Sequence, residues 1–292
     1  MNADLAKLPR MTQAQAPLTL AIEALDEHGQ SCALSIPAER ALTVYVDKQE
    51  LITLMTLGAH PEWLVLGYLR NQRLVERVDQ VESITVDWDA GEAGAGVAAV
   101  KTRGLSGDWS ERTRTRIVTT GCGQGSMFGC AMEDLAQVRL PDTRLTQARL
   151  YQVLARMRQQ ESTYKSAGSV HGCALFDGTD LRLFVEDVGR HNAIDTIAGW
   201  LWAHAPEAPP ADPLFYTTGR LTSEMVLKAA QMGVPLVVSR SGITQMGYEM
   251  AQTLGLCAVG RAVNRHFFCY TARHRFVPQP ELAASAATTG QP

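Results

Sequence analysis

The feature that most constrains this 292-residue chain is the alternation of its second half. Leu145–Gln160 is predicted to be a helix, with Leu150, Val153, Leu154 and Met157 on its inner side. Two short apolar strands follow, Gly172–Phe176 and Leu181–Val185, joined by Asp177-Gly178. Next comes a helix over Asn192–Trp202, stopped by a linker holding Pro206, Pro209, Pro210 and Pro213. Strands at Leu214–Thr217 and Pro235–Ser239 then alternate with helices at Ser223–Met232 and Gln245–Leu254. Cys257–Gly260 and Phe267–Thr271 are the last strands. Strand–helix–strand alternation implies parallel pairing, helices on both sheet faces and right-handed crossovers.

Residues 17–90 read as a smaller α+β domain. Pro17–Glu23 and Cys32–Pro37 pair around Asp26-Glu27-His28-Gly29, and Ala41–Val46 and Val81–Trp88 are further strands. Glu50–Leu57 is expected to open a helix, and Pro61 to begin a second one over Glu62–Leu69. Residues 1–16, small and polar, are expected to be unstructured. Residues 91–143 form a glycine-rich basic segment with a cysteine loop. Nine glycines between 91 and 129 mark it as mobile, with a hairpin over Val97–Ile117 as its regular piece. Residues 144–277 are the α/β domain, and 278–292 a disordered tail.

With 46% hydrophobic and 20% charged residues the chain can bury a real core. A net charge of −3 excludes a general nucleic-acid binder and leaves room for a local basic patch. Six cysteines, several in apolar runs such as Leu256-Cys257-Ala258, read as buried thiols rather than a disulfide frame. No apolar stretch is long enough for a membrane span, and no leader is evident; a reducing cytoplasm is the expected setting.

Each strand of the second half runs into a polar cluster. Val185 leads into Glu186, Asp187, Gly189, Arg190, His191 and Asn192; Thr217 into Thr218, Gly219, Arg220 and Thr222; Val238 into Ser239, Arg240, Ser241, Gly242 and Thr244. Open α/β sheets bind ligands at the carboxyl ends of their strands. Free helix amides with Arg220 and Arg240 suit phosphate groups. The plainer reading is that Thr222 and Thr244 cap helices and the glycines turn the chain. His191 and Asp195 lie four apart on one helix, spaced either for a local hydrogen bond or for an oriented proton carrier. His171 and Cys173 lack a Cys-x-x-Cys partner, which argues against zinc. The dinucleotide and P-loop signatures are absent.

The other candidate for chemistry is Ile117–Cys130. It places Cys122 between Gly121 and Gly123, after Lys101, Arg103, Arg112, Arg114 and Arg116. Nearby guanidinium groups favour the thiolate, the reactive form of cysteine, and the glycines leave the sulfur uncovered. The plainer reading is a solvated basic strand edge and an idle surface thiol.

Four segments together resemble the formate dehydrogenase accessory proteins, the FdhD/NarQ family: Glu186–Asp195 (EDVGRHNAID), Thr217–Gly242 (TTGRLTSEMVLKAAQMGVPLVVSRSG), Tyr68–Val75 (YLRNQRLV) and Thr119–Gly123 (TTGCG). The resemblance covers residues 17 to 277. It implies a cytidine deaminase-like three-layer α/β/α second domain with a mixed, mostly parallel sheet, stripped of the deaminase's zinc residues. A deaminase-like fold often dimerises. It also implies a sulfur carrier that takes persulfide sulfur from a cysteine desulfurase. The sulfur is passed to the bis-guanylated molybdenum cofactor, molybdenum bis(molybdopterin guanine dinucleotide), before that cofactor enters the formate dehydrogenase catalytic subunit. By motif the sulfur-bearing residue is Cys122. The family's Cys-Gly-x-Cys-Gly loop is altered, because Gly125 stands where the second cysteine belongs; Cys130 is the next thiol. The family's cofactor segment falls on Arg261, Ala262, Val263, Asn264, Arg265 and His266, with Arg261 in the usual aromatic position. A cofactor-binding chaperone without sulfur chemistry is the alternative reading.

Overall fold

The computed structural model describes residues 8–91, 95–105, 138–204 and 210–284. In chain order these form β1 (Arg10–Met11), β2 (Thr19–Leu25), β3 (Ser31–Pro37), β4 (Arg40–Val46), β5 (Gln49–Thr56) and α1 (Pro61–Asn71). Then come β6 (Val81–Asp87), β7 (Gly96–Thr102), β8 (Leu145–Thr146), α2 (Gln147–Gln159), α3 (Thr163–Ala167), β9 (His171–Asp177), β10 (Asp180–Asp187) and α4 (Arg190–His204). The last are β11 (Pro213–Thr217), α5 (Ser223–Gln231), β12 (Leu236–Ser239), α6 (Gln245–Thr253), β13 (Cys257–Val263), β14 (His266–Cys269), β15 (Phe276–Val277) and α7 (Glu281–Ala284). Two compact units emerge. The first takes the described residues up to 105 with 162–172 and 185–204; the second takes 138–161, 173–184 and 210–284.

The first unit is built on a five-stranded sheet in the order β1-β6-β7-β4-β5. Alternation drives the central strands: Leu42, Val44 and Val46 of β4 are fully buried, as are Val81 and Ile84 of β6 and Ala98 of β7. Their side chains pack with Leu64, Val65, Tyr68 and Leu69 of α1 in one core. The expected helix over Glu50–Leu57 is instead β5. Asp47 and Lys48 both take positive φ, 47° and 70°, and turn β4 back on itself with Val46 opposite Gln49. A type I′ hairpin loop needs that conformation at both of its two residues, and Asp-Lys is a weaker signal for it than Asn-Gly. Strand pairing thus overrides the helical propensity of the Glu50–Leu57 stretch.

Two further expectations are corrected here. Gly96–Thr102 is not a loose segment but an inner strand, antiparallel to β6 and parallel to β4. Its antiparallel neighbour is β6; the far side of the expected Val97–Ile117 hairpin lies outside the described residues. Asp47 fastens its end, accepting from the Thr102 amide at 2.9 Å and the Thr102 hydroxyl at 2.5 Å. Residues 8–16 are ordered too. Arg10–Met11 pairs with β6, the Thr12 hydroxyl donates to Glu62 at 2.6 Å, and Trp88 Nε1 donates to the Ala14 carbonyl at 2.6 Å. These are side-chain anchors outside the short polar stretch that they hold, so local composition did not signal them.

Helices α1 and α4 cross at two glycines. A Cβ at Gly67 would lie 1.7 Å from the Asp195 carbonyl oxygen, and one at Gly199 1.9 Å from that of Trp63. The backbones therefore touch. Beside them Asn71 Nδ2 donates to Asp195 at 2.6 Å, and both residues are buried.

The second unit carries a mixed six-stranded sheet in the order β10-β9-β11-β12-β13-β14. Its centre is parallel, with Leu214–Thr217 alongside Leu236–Ser239 and Leu236–Val238 alongside Cys257–Val259. β9 and β14 join antiparallel on the two sides. Every residue of β11 and β12 is buried, as continuous apolar strands covered on both faces should be. Leu150, Val153 and Leu154 of α2 pack with Leu214, Tyr216, Leu236 and Val238, with Met157 at the margin as its spacing indicated. Arg149, 8% exposed, gathers the edge. Its guanidinium donates to the Gly178 and Asp212 carbonyls and to both Asp212 carboxylate oxygens, at 2.8–2.9 Å.

Candidate functional site

In the second unit the parallel strands bring two predicted clusters together. Thr217 lies opposite Ser239 at the carboxyl ends of β11 and β12. The Ser239 hydroxyl donates to the Gly219 carbonyl at 2.7 Å, and the Arg240 amide to the Thr217 carbonyl at 2.9 Å. Thr217 Oγ1 accepts from the Gly219 amide at 3.1 Å and from Cys173 Sγ at 3.3 Å. The loops continue side by side, with Leu221 bridged to Ile243. A third strand joins them, since the Arg261 amide donates to the Ser241 carbonyl at 2.7 Å.

Arg261 sits where β13 kinks. The β13–β14 register shifts between Gly260 and Val263, and Arg261 has φ 49°. Gly260 is required there, because a Cβ would come within 2.6 Å of the Tyr270 ring. Arg220, Arg240 and Arg261 thus rise from backbone segments tied by hydrogen bonds, and all three side chains are exposed. Thr218 is half-buried between them; Gly219 and Ser239 are buried. Burial raises the Tyr216 hydroxyl above its ordinary value, and the Arg240 charge opposes this. Exposed guanidinium groups on adjoining strand-end loops are side chains that suit phosphate oxygens.

The rest of the Arg261–His266 segment divides by role. Ala262, 2% exposed, belongs to the core. Asn264, at φ 56°, makes the hairpin turn, and its Oδ1 accepts from Arg158 at 3.1 Å. Arg265 leans on Tyr151 and donates to the Leu282 carbonyl at 2.9 Å. Val263 and His266 are exposed. Arg261 lies over the Phe268 ring at 5.9 Å, and His266 meets that ring edge-on at 4.9 Å. Phe268, 44% exposed, is a site neighbour that the sequence reading missed. Its signal was the period-two run His266, Phe268, Tyr270, set against the inward Phe267 and Cys269.

The polar cluster after β10 lies in the first unit. Arg190 and His191, at the start of α4, are 5% and 4% exposed. The acidic residues before them are structural. Asp187 accepts from the Thr56 hydroxyl (2.5 Å), the Leu57 amide (3.0 Å), the Gly189 amide (3.0 Å) and Asn192 Nδ2 (2.9 Å). Burial nevertheless pushes its carboxyl above the usual range. Glu186 accepts from the Thr163 and Tyr164 amides at the start of α3. Thr244 caps α6 through the Gly247 amide, as the plainer reading of that threonine expected. Among the described residues no group of three or more His, Cys, Asp or Glu side chains is placed to hold a metal. Cys122 and Cys130, with Arg112, Arg114 and Arg116, lie outside the described residues.

Residues 37–277 match the FdhD/NarQ family model. The chain belongs to the FdhD/NarQ family. The sulfur carrier protein FdhD of Bacillus licheniformis is 30% identical over 238 residues, spanning 81% of this chain and 88% of that protein. The sulfur carrier protein FdhD of Bacillus subtilis is 29% identical over the same length. In fold, the FdhD/NarQ chain is similar to a formate dehydrogenase accessory protein from Desulfotalea psychrophila. The TM-score is 0.69 at 22% identity, over 89% of this chain and 100% of that one. No helix among the described residues is long and apolar enough to cross a membrane.

Proposed function

We propose that this chain is a sulfur carrier that loads the molybdenum cofactor destined for a formate dehydrogenase. The observation that carries the proposal is the identity with sulfur carriers over four-fifths of the chain, together with Cys122 between its two glycines. Cys122 as thiolate attacks the outer sulfur of a cysteine desulfurase persulfide, and the desulfurase sulfur leaves as a thiolate. The outer sulfur, now on Cys122, is handed to the bis-guanylated molybdenum cofactor as substrate. Arg220, Arg240 and Arg261, with the backbone around Thr218, Gly219 and Ser239, would receive the guanine dinucleotide phosphates. We read the second unit as the deaminase-like layer that presents them. Its parallel strands all run toward one end, where such folds place their ligands.

The altered loop, with Gly125 in place of the second cysteine, favours one other reading: a chaperone that holds the cofactor without sulfur chemistry. One thiolate can nonetheless accept and pass on a sulfane sulfur. The test is to restore formate dehydrogenase activity in a strain lacking this protein. Cys122→Ala is expected to abolish restoration and Cys130→Ala to spare all or part of it. Full activity with Cys122→Ala would overturn the carrier reading.

A further inference from the structure

Two other thiols lie close together in the second unit. Cys257 Sγ and Cys269 Sγ are 3.9 Å apart and neither is in a disulfide. Cys257 is fully buried on β13, while Cys269 is half-buried on β14, at the end of the sheet order. Cys269 Sγ also reaches the Thr271 carbonyl at 3.6 Å. Phe267, Phe276 and Ala272 border the same core and make its surroundings apolar.

The register decides what such a pair can do. Cys269 lies opposite Val259, so Cys257 is its diagonal neighbour. Diagonal Cα atoms are about 7–8 Å apart, beyond the usual disulfide span. The thiols touch, but the backbone resists closing them into a bond. Either sulfur can donate in this contact; with Cys257 as donor, the contact lowers the Cys269 thiol below its ordinary range against burial, and the Arg273 charge adds to this. The same contact and burial push Cys257 up. Burial also separates the two sulfurs: Cys269, half-buried, is the one a donor can approach, and Cys257, fully buried, is its neighbour.

We propose that Cys257 and Cys269 form a second station for sulfane sulfur, in which Cys269 takes the outer sulfur of a persulfide and Cys257 steadies it. This rests on the sulfur-carrier reading, which supplies the persulfide, and it places a second thiol in a chain whose loop has Gly125 in the second cysteine position. Cys269 thiolate attacks the outer sulfur of R–S–S–H. A new S–S bond forms at Cys269, the donor S–S bond breaks, and the donor sulfur leaves as a thiolate that takes up the proton Cys269 released. The outer sulfur keeps its own proton. No external oxidant or reductant is consumed, because the sulfane sulfur only changes thiols.

The test uses the full-length Cys122→Ala protein, treated without oxygen with glutathione persulfide and then desalted. Alkylation and peptide mass spectrometry at timed intervals locate the retained sulfur. Cys32, which is exposed, is the internal reference. The peptide containing Cys269 is expected to hold its added sulfur severalfold longer than Cys32 does. Cys257→Ser should shorten that time toward the Cys32 value, and Cys269→Ser, at a half-buried position, should abolish the pool. A bare Cys269, retention equal to that of Cys32, or a Cys257–Cys269 disulfide in its place would overturn the proposal. The wild-type digest separates the two readings. Cys122 loaded with Cys269 bare defeats only the station; Cys269 loaded with Cys122 bare defeats only the carrier role of Cys122.

Discussion

Replacing Gly67 by alanine sets two known effects against each other. Alanine in place of glycine within a helix gains about 1 kcal/mol in propensity. Yet its Cβ would stand 1.7 Å from the Asp195 carbonyl oxygen, where 3.0 Å is already a distance that real Cβ atoms do not undercut. Helices α1 and α4 would have to separate by more than about 1 Å at their crossing. A gap of that size forfeits roughly a quarter to a half of each dispersion contact across the face, and it stretches the buried Asn71–Asp195 bond of 2.6 Å. Overpacking of this kind costs about 1–3 kcal/mol, and the strained bond adds about 1 kcal/mol. A net loss of about 2 kcal/mol is expected from the urea midpoint at unchanged slope. Gly199→Ala should cost a similar amount, its Cβ meeting Trp63 O at 1.9 Å. The double variant should cost less than the sum, because one opening admits both methyl groups. Gly189→Ala is the control, since its Cβ would find nothing nearer than 3.5 Å. A Gly67→Ala protein as stable as the wild type would refute backbone contact between these helices.

Other expectations follow from single residues. Glu224 and Lys228 on α5 pair at 3.1 Å with side chains 1% exposed. Lys228→Met alone should cost about 3–5 kcal/mol in a denaturant melt, whereas Glu224→Leu with Lys228→Met should lie near the wild type. Asp187 has its carboxyl raised by burial, so the folded state keeps its proton to higher pH than the unfolded chain does. The stability it contributes is full below the ordinary aspartate range and is lost as pH rises through the folded value. Asp187→Asn should remove that slope from a stability–pH curve and cost about 1–3 kcal/mol at neutral pH by turning an amide donor toward existing donors. Arg220→Ala and Arg240→Ala should each weaken GDP binding to the full-length protein roughly tenfold in a salt-dependent titration. Unchanged affinity in both would remove the strand-end cluster from the phosphate site.

The second half of the fold was legible because its signals are local. The strands at Leu214, Leu236 and Cys257 are unbroken apolar runs, and proline and glycine punctuate the helices between them. The mixed pairing was less accessible. β14 runs against the parallel core because the tight turn at Asn264 returns the chain at once, whereas the chain passes from β9 to its antiparallel partner β11 only after β10 and α4, so no local turn signals that pairing. The first half misled where the deciding contact is distant. Glu50–Leu57 is a strand because Asp47 and Lys48 turn the chain, and residues 10–14 are held by Glu62 and Trp88. At the proposed site, residue types pointed to the strand ends, where the arginines are exposed. They did not separate Arg261, whose side chain is exposed, from Arg265, which is spent on Leu282 and Tyr151.

The same distinction applies to the motif that marks the family. In EDVGRHNAID the ionisable residues look like a catalytic set when read in line. In the folded chain Glu186 caps α3, Asp187 gathers four donors, Asn192 reaches the Met55 carbonyl at 2.6 Å, and Asp195 binds Asn71. A buried carboxylate is tolerated only with such partners, so each substitution there damages the scaffold whatever its effect on chemistry. The proposed chemistry depends instead on the exposed arginines at the strand ends and on Cys122, which lies outside the described residues. Loss of activity on changing Asp187 or Asp195 is therefore weak evidence for a catalytic role. An activity loss at Arg220, Arg240 or Cys122 with unchanged stability is strong evidence.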